Sequence, residues 1–282
     1  MTISIAHLGP SGTNAETVAL QYAKWLEAET HQAVHLHPCI SIAQTLRAVA
    51  QGEVDLAVVP VENSIEGSVT FTLDTFWQLE GLQIQQALDL PIVHAFLSQA
   101  PTIATVQTVY SHPQALSQCQ EWLERNLPEA QLIPLKSTTE GLKHLANNPT
   151  IGAISTTRAA ELYNLPVLAC PINDYPDNCT RFWVVSMQPS PGGSHTSIAF
   201  TVHDVPGALL KPLQVIADRQ MNMSRIESRP TKRSLGEYLF FVDLAAHTHQ
   251  PGFQQAMAEL TQVTETLRVL GSYNILPIPT PT

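Results

Sequence analysis

The sequence predicts an α/β fold made of two lobes, followed by a small βαββαβ unit. Up to residue 187, short apolar runs alternate with amphipathic helical patterns, which indicates a mostly parallel sheet with helices on both faces. Residues 189–196 form a Pro/Gly/Ser-rich stretch without apolar periodicity, which is typical of a linker. Over residues 197–276 the pattern changes to strand, helix, two strands, helix and strand. The chain therefore divides at the linker into a larger and a smaller part.

The first part, residues 1–188, is expected to hold two lobes around a cleft. One lobe takes about residues 1–80 with 170–188, and the other about 90–168. The elements predicted in chain order are strand Ile3–Leu8, helix Ala15–Leu26, strand Val34–His37, helix Ile42–Ala50, strand Leu56–Val61, the extended stretch Leu82–Leu97, strand Val106–Tyr110, helix Pro113–Arg125, strand Leu132–Leu135, helix Ser137–Asn147, strand Ile151–Ile154, helix Thr156–Tyr163 and strand Arg181–Met187. Because Leu82–Leu97 is long and extended, we expect it to carry the chain between the lobes, and Arg181–Met187 to return it. Ligands of such folds bind where strands end.

The second part is a compact unit with a short tail. Its predicted elements are strand Ser197–Val202, helix Gly207–Ala217, strands Met223–Ser228 and Tyr238–Leu244, helix Gly252–Thr264 and strand Leu267–Ser272. Three prolines fall within residues 277–282, so we expect this tail to be frayed.

Composition and charge limit the classes of partner and site. The chain has 282 residues and 44% apolar content, as an ordinary globular protein does. Fourteen basic against 24 acidic residues give a net charge of −10, which disfavours nucleic acid and membrane surfaces as partners. No membrane helix or secretion signal is recognisable, so we expect a cytoplasmic protein. Four scattered cysteines predict reduced thiols, and no metal or cofactor motif is recognisable.

Four segments place polar groups at predicted strand ends beside the cleft. They are His7–Thr13, Pro60–Val69, Ser111–Gln114 and Ser155–Thr157. Free N–H groups at helix N-termini attract anions, so four such termini can neutralise a dianion without a lysine. Read alone, each segment is equally a structural turn or a helix cap.

A polar loop, Asn173–Cys179, runs into a strongly apolar strand that begins at Thr180. With the period of two of a strand, Thr180 and Phe182 face one side and Arg181 the other. A threonine at a strand start is usually structural, because β-branched residues favour strands. The strand alone therefore does not single out Thr180 as functional.

Taken together, these segments resemble the prephenate dehydratase family. GPSGT with Glu16, VPVENSIEGSV, YSHPQALSQC and NCTRFWVV occur in the order found in that family, and the similarity spans residues 3–276. The second part resembles an ACT domain through Gly207–Leu210 and Glu227–Pro230. The resemblance implies a periplasmic-binding-protein-like catalytic module followed by a ferredoxin-like ACT domain. Asn14-Ala15 departs from the aromatic residue and serine of many relatives. The chorismate mutase domain of fused relatives is expected to be absent.

The resemblance implies that prephenate loses CO₂ and its ring hydroxyl to give phenylpyruvate, without metal or cofactor. It implies a set of catalytic residues, which are Thr180, Glu62, Asn63, Ser111, Gln118 and Phe182. It also implies a set of substrate-binding residues, which are Thr13, Ser64, His112, Ser155 and Arg181. Thr180 is too weak an acid to release its proton outright, so we assign it the role of a hydrogen-bond donor. Glu62 follows an apolar strand, and we expect burial to keep it partly protonated as part of a relay.

The ACT resemblance implies feedback inhibition by phenylalanine, bound across a dimer. The implied effector-binding residues are Gly207, Ala208, Leu209, Asn222, Glu227, Ser228, Arg229 and Pro230. ACT units pair at their edges, so we expect a homodimer or homotetramer. Three alternatives stay open from the sequence: an arogenate dehydratase, a non-catalytic sensor of amino acids or other solutes, and a C-terminal unit that only oligomerises.

Overall fold

The computed structural model of the protein describes residues 2–146 and 148–279, and its strands form three sheets. The strands are β1 Ile3–Leu8, β2 Val34–Cys39, β3 Leu56–Asn63, β4 Gly67–Ser68, β5 Gln83–Pro91, β6 Ala95–Ser98, β7 Thr108–Ser111, β8 Gln131–Pro134, β9 Ile151–Ser155, β10 Val167–Ala169, β11 Cys179–Ser186, β12 His195–Thr201, β13 Asn222–Pro230, β14 Tyr238–Ala245, β15 Thr266–Tyr273 and β16 Ile275–Pro277. The helices are α1 Asn14–Thr30, α2 Ile42–Ala50, α3 Thr70–Gln78, α4 Pro113–Ser117, α5 Gln120–Asn126, α6 Thr157–Tyr163, α7 Leu210–Asp218 and α8 Pro251–Val263, with 3₁₀ turns at Ile103–Thr105 and Glu140–His144.

The first sheet has the strand order β16–β5–β11–β3–β1–β2, with β4 beside β3. Its strands β1, β2 and β3 are parallel, and β11 runs antiparallel between β3 and β5. Parallel strands need helical crossovers, and α1 and α2 supply them. α1 begins where the sequence provides a cap: Thr13 accepts from the N–H of Glu16, and the Glu16 carboxylate accepts from the N–H of Gly12.

The second sheet has the order β10–β6–β9–β7–β8 and forms the other lobe. The predicted extended stretch Leu82–Leu97 is split between the lobes: β5 belongs to the first sheet and β6 to the second. The chain returns through residues 170–178 into β11. The lobes thus share two crossing segments, and the space between the sheets forms the cleft.

The third sheet, β13–β14–β12–β15, belongs to the C-terminal unit, whose strands run from β12 to β15, and is covered on both faces. Val242 and Leu244 of β14 pack with α7 and α8, whereas Phe241 and Leu239 join a core shared with Trp183 of the first sheet. Close approach of the two parts requires a glycine: a Cβ on Gly271 would lie 2.5 Å from the carbonyl oxygen of Ile84. The C-terminal unit therefore packs directly on the first sheet.

Two predicted helices differ in the structure. The helix predicted over Pro113–Arg125 is broken into α4 and α5, because the Asp174 carboxylate accepts from the N–H groups of Glu121 and Trp122 and starts a new helix there. The helix predicted over Ser137–Asn147 contains only the 3₁₀ turn Glu140–His144, and Asn147 lies outside the described residues. Gly141 in this turn packs on Tyr110, where a Cβ would lie 2.8 Å from the Tyr110 Cβ.

The expectation of a frayed tail from Pro277 is also corrected, while residues 280–282 lie outside the described residues. β16 adds to the edge of β5 in parallel, and the N–H of Ile278 donates to the carbonyl of Asp89 at 2.8 Å. Ile278 is buried in the core beneath α1. Burial of apolar side chains on an open sheet edge outweighs the tendency of prolines to fray the end.

Replacing Ile278 with alanine is expected to lower the free energy of unfolding by about 2–4 kcal/mol, because it leaves a cavity in a buried apolar cluster. Urea denaturation followed by circular dichroism measures this change. The control is Leu235→Ala at a fully exposed position, expected to change stability by less than about 0.5 kcal/mol. Equal effects of the two substitutions would contradict the packing of this strand.

In the described residues, no helix is long and apolar enough to cross a membrane. Within the same residues, no group of three or more His, Cys, Asp or Glu side chains is arranged to hold a metal ion. The four cysteines are free thiols, and Cys39 and Cys119 are buried.

Candidate active site

The cleft between the first and second sheets has a volume of about 920 Å³. It is lined at its base by Thr180 and Phe182 of β11 and by Asn63 at the end of β3. The lobes touch at one end, where the Thr156 hydroxyl donates to the carbonyl of Gly12 at 2.8 Å. The cleft thus has a fixed floor and one closed end.

The centre of the floor is the pair Asn63 and Thr180, which lie opposite each other in the register of β3 and β11. The Asn63 side-chain carbonyl accepts from the N–H groups of Ile65 and Glu66, which fixes the orientation of the amide. Its nitrogen therefore points at Thr180 and donates to the hydroxyl at 2.9 Å. Because the Thr180 oxygen is an acceptor in this bond, its own proton is directed to whatever the cleft holds.

A network of amides extends from this pair into the second lobe. Asn63 also donates to Asn178 at 2.8 Å, and Asn178 donates to the Gln118 side-chain oxygen at 2.9 Å. The same oxygen accepts from Nε2 of His94 at 3.0 Å. Connected buried hydrogen bonds restrict the motion of their members, so the chain of bonds that orients the Thr180 hydroxyl extends into both lobes. In the described residues, Nδ1 of His94 is the buried atom of this network that has no partner.

Sequence reasoning missed His94, which lines the cleft and is only 3% exposed. Burial lowers the pKa of His94, although the hydrogen bond to Gln118 acts in the opposite direction, so the ring is neutral at pH 7. Since Nε2 donates to Gln118, Nδ1 carries the lone pair. A polar residue inside the apolar stretch Pro91–Leu97 was the available signal, but one such histidine is more often part of the core.

Two helix caps predicted to face the cleft do so. Thr13 and His112 are the N-cap residues of α1 and α4, and both line the cleft. Burial lowers the pKa of His112, while the nearby Glu66 carboxylate acts to raise it. His112 uses its Nδ1 to accept from the N–H of Gln114 at 3.3 Å, so it acts as a neutral cap. Asn14 and Ala15, which depart from the family pattern, also line the cleft.

The cleft also contains cations that the sequence interpretation did not use. Lys136 and Lys143 of the second lobe line it, together with the carboxylates of Glu66 and Glu140. Both lysines follow β8, and Lys143 lies in the segment where a regular helix was expected. The cleft thus offers two lysines beside the helix N-termini on which the sequence interpretation relied.

Three serines expected at the site do not line the cleft. Ser111 is fully buried and donates to the carbonyl of Ile154 at 2.7 Å. Ser155 is also fully buried and does not line the cleft, and its hydroxyl has no partner among the described residues. The Ser64 hydroxyl accepts from the N–H of Cys179 at 3.0 Å and joins the β3 end to the β11 start. Ser111 and Ser64 thus bond to the backbone, as short polar side chains at strand ends often do.

Glu62 and Arg181 face away from the cleft, contrary to the expected roles in catalysis and binding. They are register partners on β3 and β11, one residue before Asn63 and one after Thr180. Because strand side chains alternate, both point to the opposite face of the sheet. Arg181 forms a bidentate pair with Asp89 at 2.7 and 2.8 Å. The carboxylate that lies in the cleft on this segment is Glu66.

Comparison with known families shows which family the chain belongs to. Residues 5–190, more than half of the chain, match the family described as prephenate dehydratase. The chain belongs to the prephenate dehydratase family. Residues 196–263 match the family described as ACT domain. The predicted α/β fold and its C-terminal ACT unit are thereby confirmed.

Relatives of the prephenate dehydratase family match over nearly the whole chain. A bifunctional chorismate mutase/prephenate dehydratase of Aquifex aeolicus is 39% identical over 274 residues, which are 96% of this chain and 73% of the relative. A prephenate dehydratase of Mycolicibacterium vanbaalenii is 35% identical over 281 residues, covering 95% and 90%. The structure of a prephenate dehydratase from Arthrobacter aurescens in complex with L-Phe has a TM-score of 0.84 and 33% identity, covering 97% and 90%.

In this member of the prephenate dehydratase family, the residues expected to bind an effector occupy two places in the C-terminal unit. Gly207, Ala208 and Leu209 form the turn before α7, and Gly207 has a φ of +77°. The other five, Asn222, Glu227, Ser228, Arg229 and Pro230, lie on β13. β13 is an edge strand, because β14 is its partner in the third sheet and the opposite edge is β15.

Proposed function

We propose that this chain converts prephenate to phenylpyruvate with loss of CO₂ and water, in the cleft between the two lobes. The observation that carries the proposal is the Asn63–Thr180 pair, which presents a free hydroxyl proton at the cleft floor. The family membership supports the choice of reaction. The lyase chemistry needs no cofactor, because the ring becomes aromatic as the leaving groups depart.

In this reaction two bonds break and the ring electrons rearrange. The bond between the ring and the carboxylate carbon breaks, and its electron pair enters the ring as CO₂ departs. The ring C–O bond breaks with its electron pair on oxygen, which becomes water after it gains a proton. Thr180 donates a hydrogen bond to this oxygen as negative charge develops on it, and Asn63 keeps the donor oriented. Gln118 and the neutral His94 hold the network from the second lobe.

The relay role first considered for Glu62 is withdrawn from this proposal, because its side chain lies on the opposite face of the sheet. Phe182 is retained as an apolar wall of the cleft, since it is buried and lines the floor beside Thr180. Thr13 and His112 are retained as caps whose helices present N–H groups to a carboxylate.

The test is turnover by the purified protein, with prephenate and arogenate compared as substrates. We expect kcat/KM to be higher for prephenate, because the matching family and relatives are named for that substrate. Turnover of arogenate alone would overturn the choice of substrate. Tight binding of either compound without any turnover would identify a sensor instead.

Replacing Lys136 or Lys143 with alanine is expected to raise KM for prephenate roughly two- to fivefold and to leave kcat unchanged. The effect is modest because both ammonium groups are solvent-exposed, where one ion pair contributes about 0.3–1 kcal/mol. The rise in KM should shrink as salt increases. The matched control is Lys24→Ala on α1, away from the cleft lining. A KM independent of all three substitutions contradicts a role in substrate attraction.

We also propose that phenylalanine binds the C-terminal unit and inhibits the reaction, and that copies of this unit pair as a dimer or tetramer. The ACT match and the L-Phe complex of the Arthrobacter aurescens relative support the effector. The exposed edge strand β13 supports the pairing. The cytoplasmic location and the absence of nucleic-acid and membrane partners stay predictions from the sequence.

A further inference from the structure

The edge strand β13 turns a row of charged side chains toward the catalytic part. Arg225, Glu227 and Arg229 alternate with the exposed residues Ile226 and Ser228. In the ladder, Arg225 pairs with Asp243 and Arg229 with Leu239, and Leu239 belongs to the core shared with the first sheet. The charged row of β13 therefore faces the first sheet, and not the solvent or the helices of the C-terminal unit.

The first charge of this row, Arg225, reaches β3 beside the cleft floor. Its Nε donates to Asp243 at 2.7 Å and lies 4.0 Å from a carboxylate oxygen of Glu62. Arg225 is 8% exposed, and both of its terminal nitrogens are buried without an acceptor among the described residues. Buried cationic donors are costly when unpaired. Asp243 pairs with this guanidinium inside the C-terminal unit, and Glu62 is a carboxylate of the catalytic part that also interacts with its charge.

The last charged residue of the row, Arg229, contacts α3, the helix that follows β4. It forms a bidentate pair with Asp74 at 3.0 and 3.1 Å, and Lys232 lies 2.6 Å from the same carboxylate. Asp74 is largely buried, with 14% of its side chain exposed. Although burial alone acts to raise the pKa of Asp74, hydrogen bonds from Arg229 and Lys232 hold that pKa below its usual value. The Asp74 carboxylate and the Arg229 guanidinium are therefore both charged at pH 7.

The two contacts enclose one stretch of chain, residues 62–74, which we call the cleft segment. Glu62 is its first residue and Asp74 its last. Between them lie Asn63, which holds Thr180, and residues 66–71, which line the cleft from Glu66 to Phe71. One strand of the C-terminal unit thus contacts both ends of the segment that carries Asn63 and part of the cleft lining.

We propose that Arg225 and Arg229 are positioning residues: through Glu62 and Asp74 they hold the cleft segment in place, and phenylalanine inhibits by altering this hold. The second half rests on the proposed function, since it needs a reaction and an effector. The expected effector residues Glu227 and Ser228 lie between the two arginines on β13. A ligand that favours one arrangement of β13 therefore favours one arrangement of the cleft segment.

Hydrogen exchange tests the first half without any need for turnover. Glu62→Gln and Asp74→Asn each remove one contact, and we expect amide exchange of residues 62–74 to rise at least about threefold in both. The matched control is Glu80→Gln, which removes the pair between Glu80 and Arg268, another contact between the two parts that does not involve β13. Exchange in the cleft segment that matches the wild type in both variants overturns the positioning role.

Enzyme kinetics test the second half. The quantity measured is the ratio of kcat/KM for prephenate without phenylalanine to kcat/KM with saturating phenylalanine. We expect Asp74→Asn to lower this ratio at least about fivefold toward one, Asp74→Glu to restore most of it, and Glu80→Gln to leave it unchanged. Circular dichroism establishes whether each variant is folded. If Asp74→Asn does not fold, the ratio is measured in Asp74→Glu alone.

The outcomes separate this inference from the proposed function. A wild-type protein without turnover contradicts the proposed function, and hydrogen exchange then decides the positioning role by itself. A wild-type protein that reacts but does not respond to phenylalanine overturns the regulatory half. An unchanged ratio in Asp74→Asn, with phenylalanine still bound in calorimetry, overturns it as well.

Discussion

Replacing Thr180 with alanine is expected to lower kcat for prephenate about 100- to 1,000-fold and to change KM little. The Thr180 hydroxyl accepts from Asn63 and so offers its proton to the leaving oxygen, where negative charge develops only as the bond breaks. A donor that acts on this charge stabilises the transition state more than the bound substrate. Steady-state kinetics on prephenate measure both constants.

Two variants at the same position serve as controls for this prediction. Thr180→Ser keeps a hydroxyl within reach of Asn63 and is expected to retain activity within about tenfold, whereas Thr180→Val keeps the shape but has no donor and should resemble alanine. A loss confined to KM, or a valine variant as active as serine, would show that Thr180 shapes the cleft and does not take part in the reaction.

Replacing Asp243 with alanine is expected to lower the free energy of unfolding by about 3–5 kcal/mol. Asp243 is 2% exposed and accepts from Arg225 at 2.7 Å and from the Ser197 hydroxyl at 2.5 Å. Removing it leaves the buried guanidinium of Arg225 with only the more distant Glu62. Breaking one side of a buried pair has a large effect because the remaining charge is desolvated and unpaired. Chemical denaturation measures the change.

The matched experiment removes both charges together. In Arg225→Met with Asp243→Leu the buried charges are both removed, Glu62 loses a partner but is 34% exposed, and the Ser197 hydroxyl still has the Tyr273 hydroxyl at 2.6 Å as a partner. We expect the double variant to be clearly more stable than Asp243→Ala. If the double variant is the less stable of the two, packing around Asp243, and not charge, accounts for the loss.

Strand periodicity in the sequence predicted part of the cleft floor. The period of two correctly placed Thr180 and Phe182 on one face and Arg181 on the other. On β3 a bulge intervenes: Glu62 pairs with Arg181 and Pro60 with Phe182, so Val61 is an extra residue and the alternation shifts there. Asn63 therefore shares the cleft face with Pro60, whereas Glu62 lies on the opposite face near Arg225. Strict alternation from Pro60 would place Glu62 in the cleft, and the sequence pattern does not reveal the bulge.

Other parts of the site depend on contacts that are distant in sequence. The break between α4 and α5 comes from Asp174, more than fifty residues away, which caps α5 and leaves Gln118 at the break, bonded to His94. Ser111 satisfies a backbone carbonyl of the neighbouring strand, which requires knowing the strand order. Local patterns carry no such information, because they record the period of an element and not its neighbours.

The strand β16 changes what kind of attachment the C-terminal unit has. The chain leaves the first sheet at the end of β11 and comes back to it at β16, and only β5 separates the two strands. In topological terms the unit is an insertion tied at two neighbouring points, and not an appendage on a single tether. A protease cut within residues 189–194 would therefore leave both pieces joined through a continuous sheet. The C-terminal unit therefore cannot rotate about a single flexible linker. Its influence on the cleft has to pass through the contacts between the unit and the first sheet.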